Sequence, residues 1–209
     1  MSKEVIVSAP STELTVGGLP NTIEQSDIDI PRINVVQKTS DINLNDGEPA
    51  PYGFLMSQPE EEIKVVPLLA VKQWREDIPF DSDEVPRIAG TIEERNKLAA
   101  DSDYELLEFA EITFLFEGSD DVEAFPLPLG KKNYAIGRIN VAKDAYRQTF
   151  KRLATFAMYN KKTPVHTRVW NLKSTLITRG KYSWFAPSLS ITPDDTSKDV
   201  ATFVEDFVS

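Results

Sequence analysis

Residues 131–182 read KKNYAIGRINVAKDAYRQTFKRLATFAMYNKKTPVHTRVWNLKSTLITRGKY, and this stretch decides the fold predicted for the chain. It begins with a short strand at 134–139. A helix at 141–159 follows, because apolar side chains recur there at helical spacing, namely Tyr146, Phe150, Leu153 and Ala157. Two strands within 165–191 then form a hairpin with a short turn at 178–180. The sequence therefore predicts a strand, one principal helix and a hairpin, in that order.

The same stretch is strongly basic in a protein that is acidic overall. It contains thirteen of the 23 lysines and arginines but a single acid, Asp144, which gives it a net charge of +12 in a chain of −10. The thirteen are Lys131, Lys132, Arg138, Lys143, Arg147, Lys151, Arg152, Lys161, Lys162, Arg168, Lys173, Arg179 and Lys181. So steep a separation of charge indicates contact with a polyanion. Because the rest of the chain repels polyanions, binding must come from cations concentrated on one face.

Aromatic residues are interleaved with these cations. They are Tyr134, Tyr146, Phe150, Phe156, Tyr159, Trp170, Tyr182, Trp184 and Phe185. Cations for phosphates and flat rings for bases are what a groove for single-stranded nucleic acid requires. The alternative is that the basic segment is an ordinary helix face and strand, paired in space with the acidic remainder of the chain. Many of the rings must also belong to the core, whichever interpretation holds.

Further strands are expected before residue 131. The segments 30–37 (IPRINVVQ) and 63–74 (IKVVPLLAVKQW) are rich in β-branched residues. Pro67 interrupts the second, which indicates a sheet edge or a bulge. Apolar and polar residues alternate at 111–116, as in a half-buried strand. Residues 122–129 contain two prolines and again suggest an edge strand.

One short helix is expected outside the basic stretch. Thr91 and Glu94 have the spacing of a capping box, in which each side chain bonds the backbone of the other. The helix that they begin extends to about residue 100. Residues 194–209 carry five acids and one lysine, so we expect a mobile acidic tail that competes with DNA for the basic groove. The alternative is a short packed helix, because apolar residues occur at helical spacing, namely Val200, Phe203, Val204 and Phe207.

Several classes of site are excluded by composition. The chain has no cysteine and one histidine, so disulfides, thiolate metal sites and metal sites with several histidine ligands are ruled out. His166 is expected to be a surface or core residue of a strand rather than a catalytic one. No glycine-rich phosphate loop is present, and Asp81, Asp83 and Glu84 are expected to form a solvated loop. We therefore expect a protein that is not an enzyme and needs neither cofactor nor metal. The lack of a leader pattern and of a long apolar run predicts a cytoplasmic protein without a membrane segment.

The predicted fold class is mainly β with one principal α-helix, a β-barrel that is OB-fold-like with extensions. The length of the chain, 209 residues, indicates one domain with extensions or two small domains. We divide it into an N-terminal arm at 1–28, an OB-like single-stranded DNA-binding domain at 29–193, and the acidic C-terminal tail at 194–209.

The chain resembles the single-stranded DNA-binding proteins encoded by tailed bacteriophages. Three features carry the resemblance: IPRINVVQ followed by IKVVPLLAVKQW, the basic helix followed by WNLKSTLITRGKYSWF, and the acidic, aromatic ending EDFVS. The resemblance implies sequence-independent binding of single-stranded DNA in phage DNA replication or recombination, in the host cytoplasm. It also implies that replication or recombination proteins dock on the tail through Glu205, Asp206 and Phe207.

Fourteen residues form the predicted DNA-binding set. Cations would neutralise phosphates and rings would stack on bases, with core packing as the alternative for every ring. The set is Trp74, Lys131, Lys132, Tyr134, Arg138, Lys143, Arg147, Lys151, Trp170, Lys173, Arg179, Lys181, Tyr182 and Trp184. A different class of function is also open, a virion structural or assembly protein without enzymatic activity. Homo-oligomers are compatible with either function.

Overall fold

The computed structural model describes residues 30–37, 55–56, 62–79, 81–118 and 124–208. The predicted arm at 1–28 lies outside these residues. Within them the fold is mainly β, with one antiparallel sheet of seven strands that is not closed, and few helices. The prediction of a mainly β protein is thereby confirmed.

The elements follow one another in this order along the described residues. The strands are β1 (Asn34–Val35), β2 (Leu55–Met56), β3 (Ile63–Glu76), β4 (Ile88–Ala89), β5 (Leu106–Glu117), β6 (Leu127–Leu129), β7 (Lys132–Ala142), β8 (Arg168–Arg179) and β9 (Tyr182–Asp195). The helices are α1 (Ile92–Asp101), α2 (Lys143–Gln148), α3 (Phe150–Tyr159) and α4 (Lys198–Val208). A single 3-10 turn, Val165–Thr167, precedes β8.

The large sheet has a Greek-key order. Its strands lie β6-β7-β5-β3-β8-β9, with β4 paired to the end of β3, and every pairing is antiparallel. After β7 the chain passes through α2 and α3, and β8 then pairs with β3. This is the position of the fourth strand in a Greek key. The pairing of β3 with β5 shifts register between Pro67 and Leu69, so the predicted bulge is confirmed. β6 lies at one end of the order, as its prolines indicated.

Each face of the sheet carries its own apolar cluster, because side chains alternate along the strands. Ile112, Phe114 and Phe116 of β5 point into the larger cluster, which also contains Leu153 of α3. Leu115, between them in sequence, belongs to the smaller cluster on the other face. The alternation predicted at 111–116 is therefore confirmed.

The C-terminal segment packs on the sheet and corrects the expectation of a separate acidic tail. Residues 194–195 end β9, and α4 buries Val200 and Val204 in the smaller cluster, with Phe203 and Phe207 packed beside them. The packed-helix alternative matches this arrangement. The apolar side chains lie on one stripe of the helix, so α4 can bury them while its acids stay exposed on the opposite side.

The principal helix predicted at 141–159 is a strand end and two helices. β7 extends to Ala142, and α2 and α3 are separated at Thr149, whose φ of −120° and ψ of −80° are not helical. Thr149 is fully buried, and its Oγ1 donates to the carbonyl oxygen of Ala145 at 2.6 Å. This bond from a β-branched side chain to the preceding turn bends helices, and it explains the break that apolar spacing alone did not predict.

The predicted hairpin is present with its turn displaced by about a residue. Arg179 pairs with Tyr182, so the two turn residues are Gly180 and Lys181. Gly180 has a φ of +58°. A residue without a Cβ atom adopts that left-handed conformation at little cost, and two-residue hairpin turns require it.

The segment 31–37 links β7 to β9, two strands that do not pair with each other. The N–H of Ile33 donates to the carbonyl of Arg138 at 2.7 Å, on β7. Gln37 donates from its amide to the Phe185 carbonyl and accepts from the Phe185 N–H, both at 2.8 Å, on β9. A Cβ atom on Gly137 would lie 3.2 Å from Ile33, so the glycine gives this segment room to approach.

Glu76 anchors the connection between β3 and β5, which contains β4 and α1. The predicted capping box of Thr91 and Glu94 begins α1, but α1 buries none of its own residues. Glu76 is 4% exposed and accepts bonds from the Arg87 side chain at 2.7 and 3.0 Å and from the Ser102 hydroxyl at 2.6 Å. These bonds hold the connecting segment to the end of β3.

The anchor predicts an acid-sensitive step in stability. The side chain of Arg87, then Ser102 and the backbone N–H of Arg87, lower the pKa of Glu76 from an ordinary value of 4.5 to about 2. A carboxylate with a lowered pKa stabilises the fold above its unfolded pKa, and this contribution is lost as the pH falls through the folded pKa. We expect Glu76→Gln to unfold at lower temperature than the parent at pH 6, and the difference to disappear towards pH 2. Thermal unfolding followed across this range measures it, and a difference independent of pH would contradict the prediction.

Candidate functional site

A basic groove lies between α3 and β9. Its cavity has a volume of about 450 Å³. It is lined by Arg147, Lys151, Arg152, Thr155 and Phe156 on the helical side and by Trp170, Leu189, Ser190 and Ile191 on the sheet side. Three of these side chains are cationic and none is a carboxylate. We call this cavity the α3 groove.

Two of the three cations of the α3 groove, Lys151 and Arg152, are held without being neutralised. The Arg152 guanidinium donates to the carbonyl of Leu189 and, at 3.3 Å, to the hydroxyl of Ser188. The ammonium of Lys151 lies 5.9 Å from the ring centre of Tyr146. Among the residues that the structure describes, neither cation makes an ion pair. Their charge is therefore free to attract an anion.

The positive surface continues from the α3 groove to the turn of the β8–β9 hairpin. Arg147 and Arg179 both pair with Asp144, at 3.7 and 2.6 Å. The guanidinium of Arg179 lies 5.9 Å from the ring centre of Trp184. We call the turn-proximal group the hairpin tip, and it consists of Arg179, Lys181, Tyr182 and Trp184. Tyr182, at 65% exposure, offers the most accessible ring of the group.

Trp74 on β3 lies beside the same surface. Lys72 sits 4.8 Å from the ring centre of Trp74, and its ammonium pairs with Glu108 at 2.7 Å. The hydrogen bond from Lys72 lowers the pKa of Glu108, so this carboxylate stays ionised. Burial raises the pKa of Tyr146, while the nearby charge of Lys72 partly offsets the rise. Lys72 therefore connects Trp74 to Tyr146, which in turn faces Lys151.

Two predicted stacking residues belong to the core instead. Trp170 is 2% exposed, its indole Nε1 donates to the Val165 carbonyl at 3.1 Å, and its ring meets Phe156 edge to face. Tyr134 is buried in the smaller cluster with Val200 and Val204 of α4. A ring enclosed in this way has no free face for a base, which corrects both assignments.

Other predicted residues lie apart from the α3 groove. Lys131 and Lys132 line a second cavity, of about 420 Å³, together with several carboxylates: Glu117, Asp194, Asp195 and Asp199. Arg138 pairs with Glu111 and Lys173 with Glu62. Lys143, Arg147 and Lys151 recur every four residues in the predicted helix, but the structure divides them. Lys143 begins α2 and pairs with Asp77, whereas Arg147 and Lys151 line the α3 groove.

Pairing within the chain accounts for part of the positive charge of residues 131–182. Seven of the thirteen cations have a carboxylate partner: Lys132, Arg138, Lys143, Arg147, Arg168, Lys173 and Arg179. Within the described ranges, six have none: Lys131, Lys151, Arg152, Lys161, Lys162 and Lys181. The alternative of self-pairing thus applies to about half of the set, and exposed pairs of this kind contribute little to stability.

The sequence interpretation missed several members of the site. Arg152, Phe156 and Lys72 contribute to the surface, and Tyr146 lies buried beneath it. All four were outside the predicted set. A signal existed for Arg152, which directly follows Lys151 in the basic helix. Lys72 comes from β3, and nothing in its local sequence indicates that it lies beside α2.

Metal and membrane features are not found in the described part of the chain. No group of three histidine, aspartate or glutamate side chains there is arranged to hold a metal ion. No described helix has both the length and the apolar character to cross a bilayer. Comparison with protein-family models, with curated proteins and with solved structures finds no match in any of the three.

Proposed function

We propose that the chain binds single-stranded DNA independently of sequence, through the α3 groove and the hairpin tip. The observation that carries the proposal is a groove with three cationic side chains and no carboxylate, in a protein of net charge −10. Cations on a narrow surface neutralise phosphates and release condensed counterions. A cationic groove does not make an acidic protein more soluble, so binding of a polyanion is the simplest function for it.

Accessible rings favour a single strand over a duplex. Tyr182 is mostly exposed, and Trp74 and Trp184 are half-buried beside lysine and arginine side chains. Unstacked bases offer their flat faces to such rings, and the contact tolerates any base. In a duplex these faces are stacked inside the helix. The rings of this surface therefore support a preference for single strands.

The strand order supports an OB-like assignment. The OB-fold is a five-stranded, partly open Greek-key barrel. Here β3, β5, β7, β8 and β9 have a Greek-key order, α2 and α3 stand between the third and fourth of them, and the sheet is open between β7 and β9. The segment 31–37 spans that opening.

A role in phage DNA replication or recombination is part of the proposal and rests on the resemblance described above. Such proteins meet their partners through acidic, aromatic C-terminal residues. In this chain Glu205 and Asp206 are exposed on α4, and Phe207 is partly buried against Phe203 with ring centres 6.0 Å apart. A partner protein would therefore meet the acidic side of α4 first.

The proposal predicts a binding curve that depends steeply on salt. We expect an oligo-dT strand to bind more tightly than duplex DNA of the same length, with affinity falling between about 50 and 200 mM salt. Each phosphate neutralised on a single strand adds about −0.7 to the slope of log affinity against log salt. Fluorescence titration at several salt concentrations measures both quantities.

Two lysine variants provide the matched comparison. Lys151→Ala removes one unpaired cation from the α3 groove, and we expect a salt slope shallower by about 0.7. Lys64→Ala removes the same charge from a residue paired with Asp194 beside the second cavity, and we expect the slope to stay unchanged. A flat salt response or a preference for duplex would contradict the proposal. Stoichiometric self-assembly without DNA affinity would favour a virion structural protein.

A further inference from the structure

Asp144 occupies an unusual position for an acid. It is the single carboxylate of residues 131–182, and it is 9% exposed at the start of α2, between the α3 groove and the hairpin tip. The preceding residue, Lys143, has a φ of 52°. That left-handed conformation is uncommon for lysine, and it lies at the point where β7 turns into the helix that carries Asp144.

One oxygen atom of Asp144 holds two arginines from different elements. Oδ1 lies 2.6 Å from a terminal nitrogen of Arg179 on the hairpin and 3.7 Å from one of Arg147 on α2. Because both distances share that oxygen, the two guanidinium nitrogens are no more than about 6.3 Å apart. Two positive groups at this separation with one negative group between them keep a net charge of +1, which an anion can neutralise.

We propose that Asp144 is a positioning residue that holds Arg147 and Arg179 together as a clamp for a phosphate group of the bound strand. The proposal rests on the function proposed above and assigns a location to one phosphate. Arg179 is fixed between Asp144 and the ring of Trp184. Arginine side chains have many rotamers, and ordering them before the ligand arrives reduces the cost of binding.

If Asp144 acted only through its charge, its removal would strengthen DNA binding, whereas a positioning role predicts weaker binding. A carboxylate within a surface that binds a polyanion repels it, so its removal strengthens attraction by charge alone. A positioning carboxylate behaves differently, because its loss releases both arginines. The sign of the change in affinity therefore distinguishes the two roles.

The test is titration of oligo-dT with the full-length Asp144→Asn protein. We expect affinity to fall about five- to tenfold, since two rotamer-rich side chains must then be ordered on binding. Asp194→Asn is the matched control, because it removes the same charge from a residue beside the second cavity. We expect the control to bind as tightly as the parent or slightly more tightly. Unchanged or stronger binding by Asp144→Asn overturns the proposal.

A double-mutant cycle separates positioning from a general loss of structure. If Asp144 acts through the clamp, adding Asp144→Asn to a protein that already carries Arg147→Ala and Arg179→Ala causes no further loss of affinity. A further loss of the same size overturns the proposal.

If Asp144→Asn lowers the melting temperature, Asp144→Glu serves instead, because it keeps the charge and moves the carboxylate by one methylene. Weaker binding by Asp144→Glu supports positioning, and unchanged binding overturns it. Failure of the parent protein to bind oligo-dT would instead reject the proposed function.

Discussion

Replacing Trp170 by alanine is expected to lower the free energy of unfolding by about 3–5 kcal/mol. The indole is enclosed in the larger cluster, contacts Phe156 edge to face and donates a hydrogen bond to the Val165 carbonyl. Its removal leaves a cavity and a carbonyl without its indole donor. Because domains are stable by about 5–15 kcal/mol in total, the variant should unfold at much lower denaturant concentration. Equilibrium unfolding in urea, followed by circular dichroism, measures the loss.

Trp184→Ala is the matched variant, since it removes the same ring from the neighbouring strand of one hairpin. Trp184 is half-buried and lies beside Arg179. We expect a small change in stability and a loss of about 1–3 kcal/mol in binding to oligo-dT, the value of one stacked base. If Trp184→Ala proved as unstable as Trp170→Ala, with no separate effect on binding, Trp184 would belong to the core as well.

Introducing a carboxylate beneath α4 is expected to have a comparably large effect. Val204 is fully buried in the smaller cluster, and Val204→Asp would place an uncompensated charge there. We expect a loss of about 3–5 kcal/mol in unfolding free energy. Thermal and urea unfolding of the variant provide the measurement.

The control for this prediction lies on the same helix. Val208 is 51% exposed, and Val208→Asp should alter stability by no more than about 0.5 kcal/mol. Deletion of residues 197–209 should lower the melting temperature while leaving β9 intact. An unchanged melting temperature together with tighter DNA binding would instead support a mobile C-terminal competitor.

Local patterns predicted the elements that depend on local physics. Alternation identified the C-terminal half of β5, and the spacing of Thr91 and Glu94 identified the start of α1. Pro67 indicated an edge or a bulge, and β3 has a bulge there. In each case a few neighbouring residues determine the hydrogen bonding. The apolar spacing of α4 is equally visible in the sequence beside its acidic composition, and burial of Val200 and Val204 outweighs that composition.

Features that depend on tertiary contacts could not be predicted from local sequence patterns. Trp170 and Trp184 lie on the two strands of one hairpin, yet one is enclosed and the other half-buried, because Trp170 packs against Phe156 of α3. Asp144 and Arg179 are 35 residues apart, and no periodicity relates them. The break at Thr149 depends on a buried hydroxyl bonding the preceding turn, which a helical pattern does not reveal.

The bonds between Gln37 and Phe185 also limit how copies of this chain can associate. Phe185, Pro187 and Leu189 direct their backbone groups away from β8, where a strand from another molecule could add. Gln37 occupies both groups of Phe185, Pro187 has no N–H to donate, and Arg152 occupies the carbonyl of Leu189. Intermolecular strand addition along β9 would have to displace two side chains and still lack one donor. The β9 edge is therefore protected against strand pairing between molecules, and strand addition between copies would have to use another edge of the sheet.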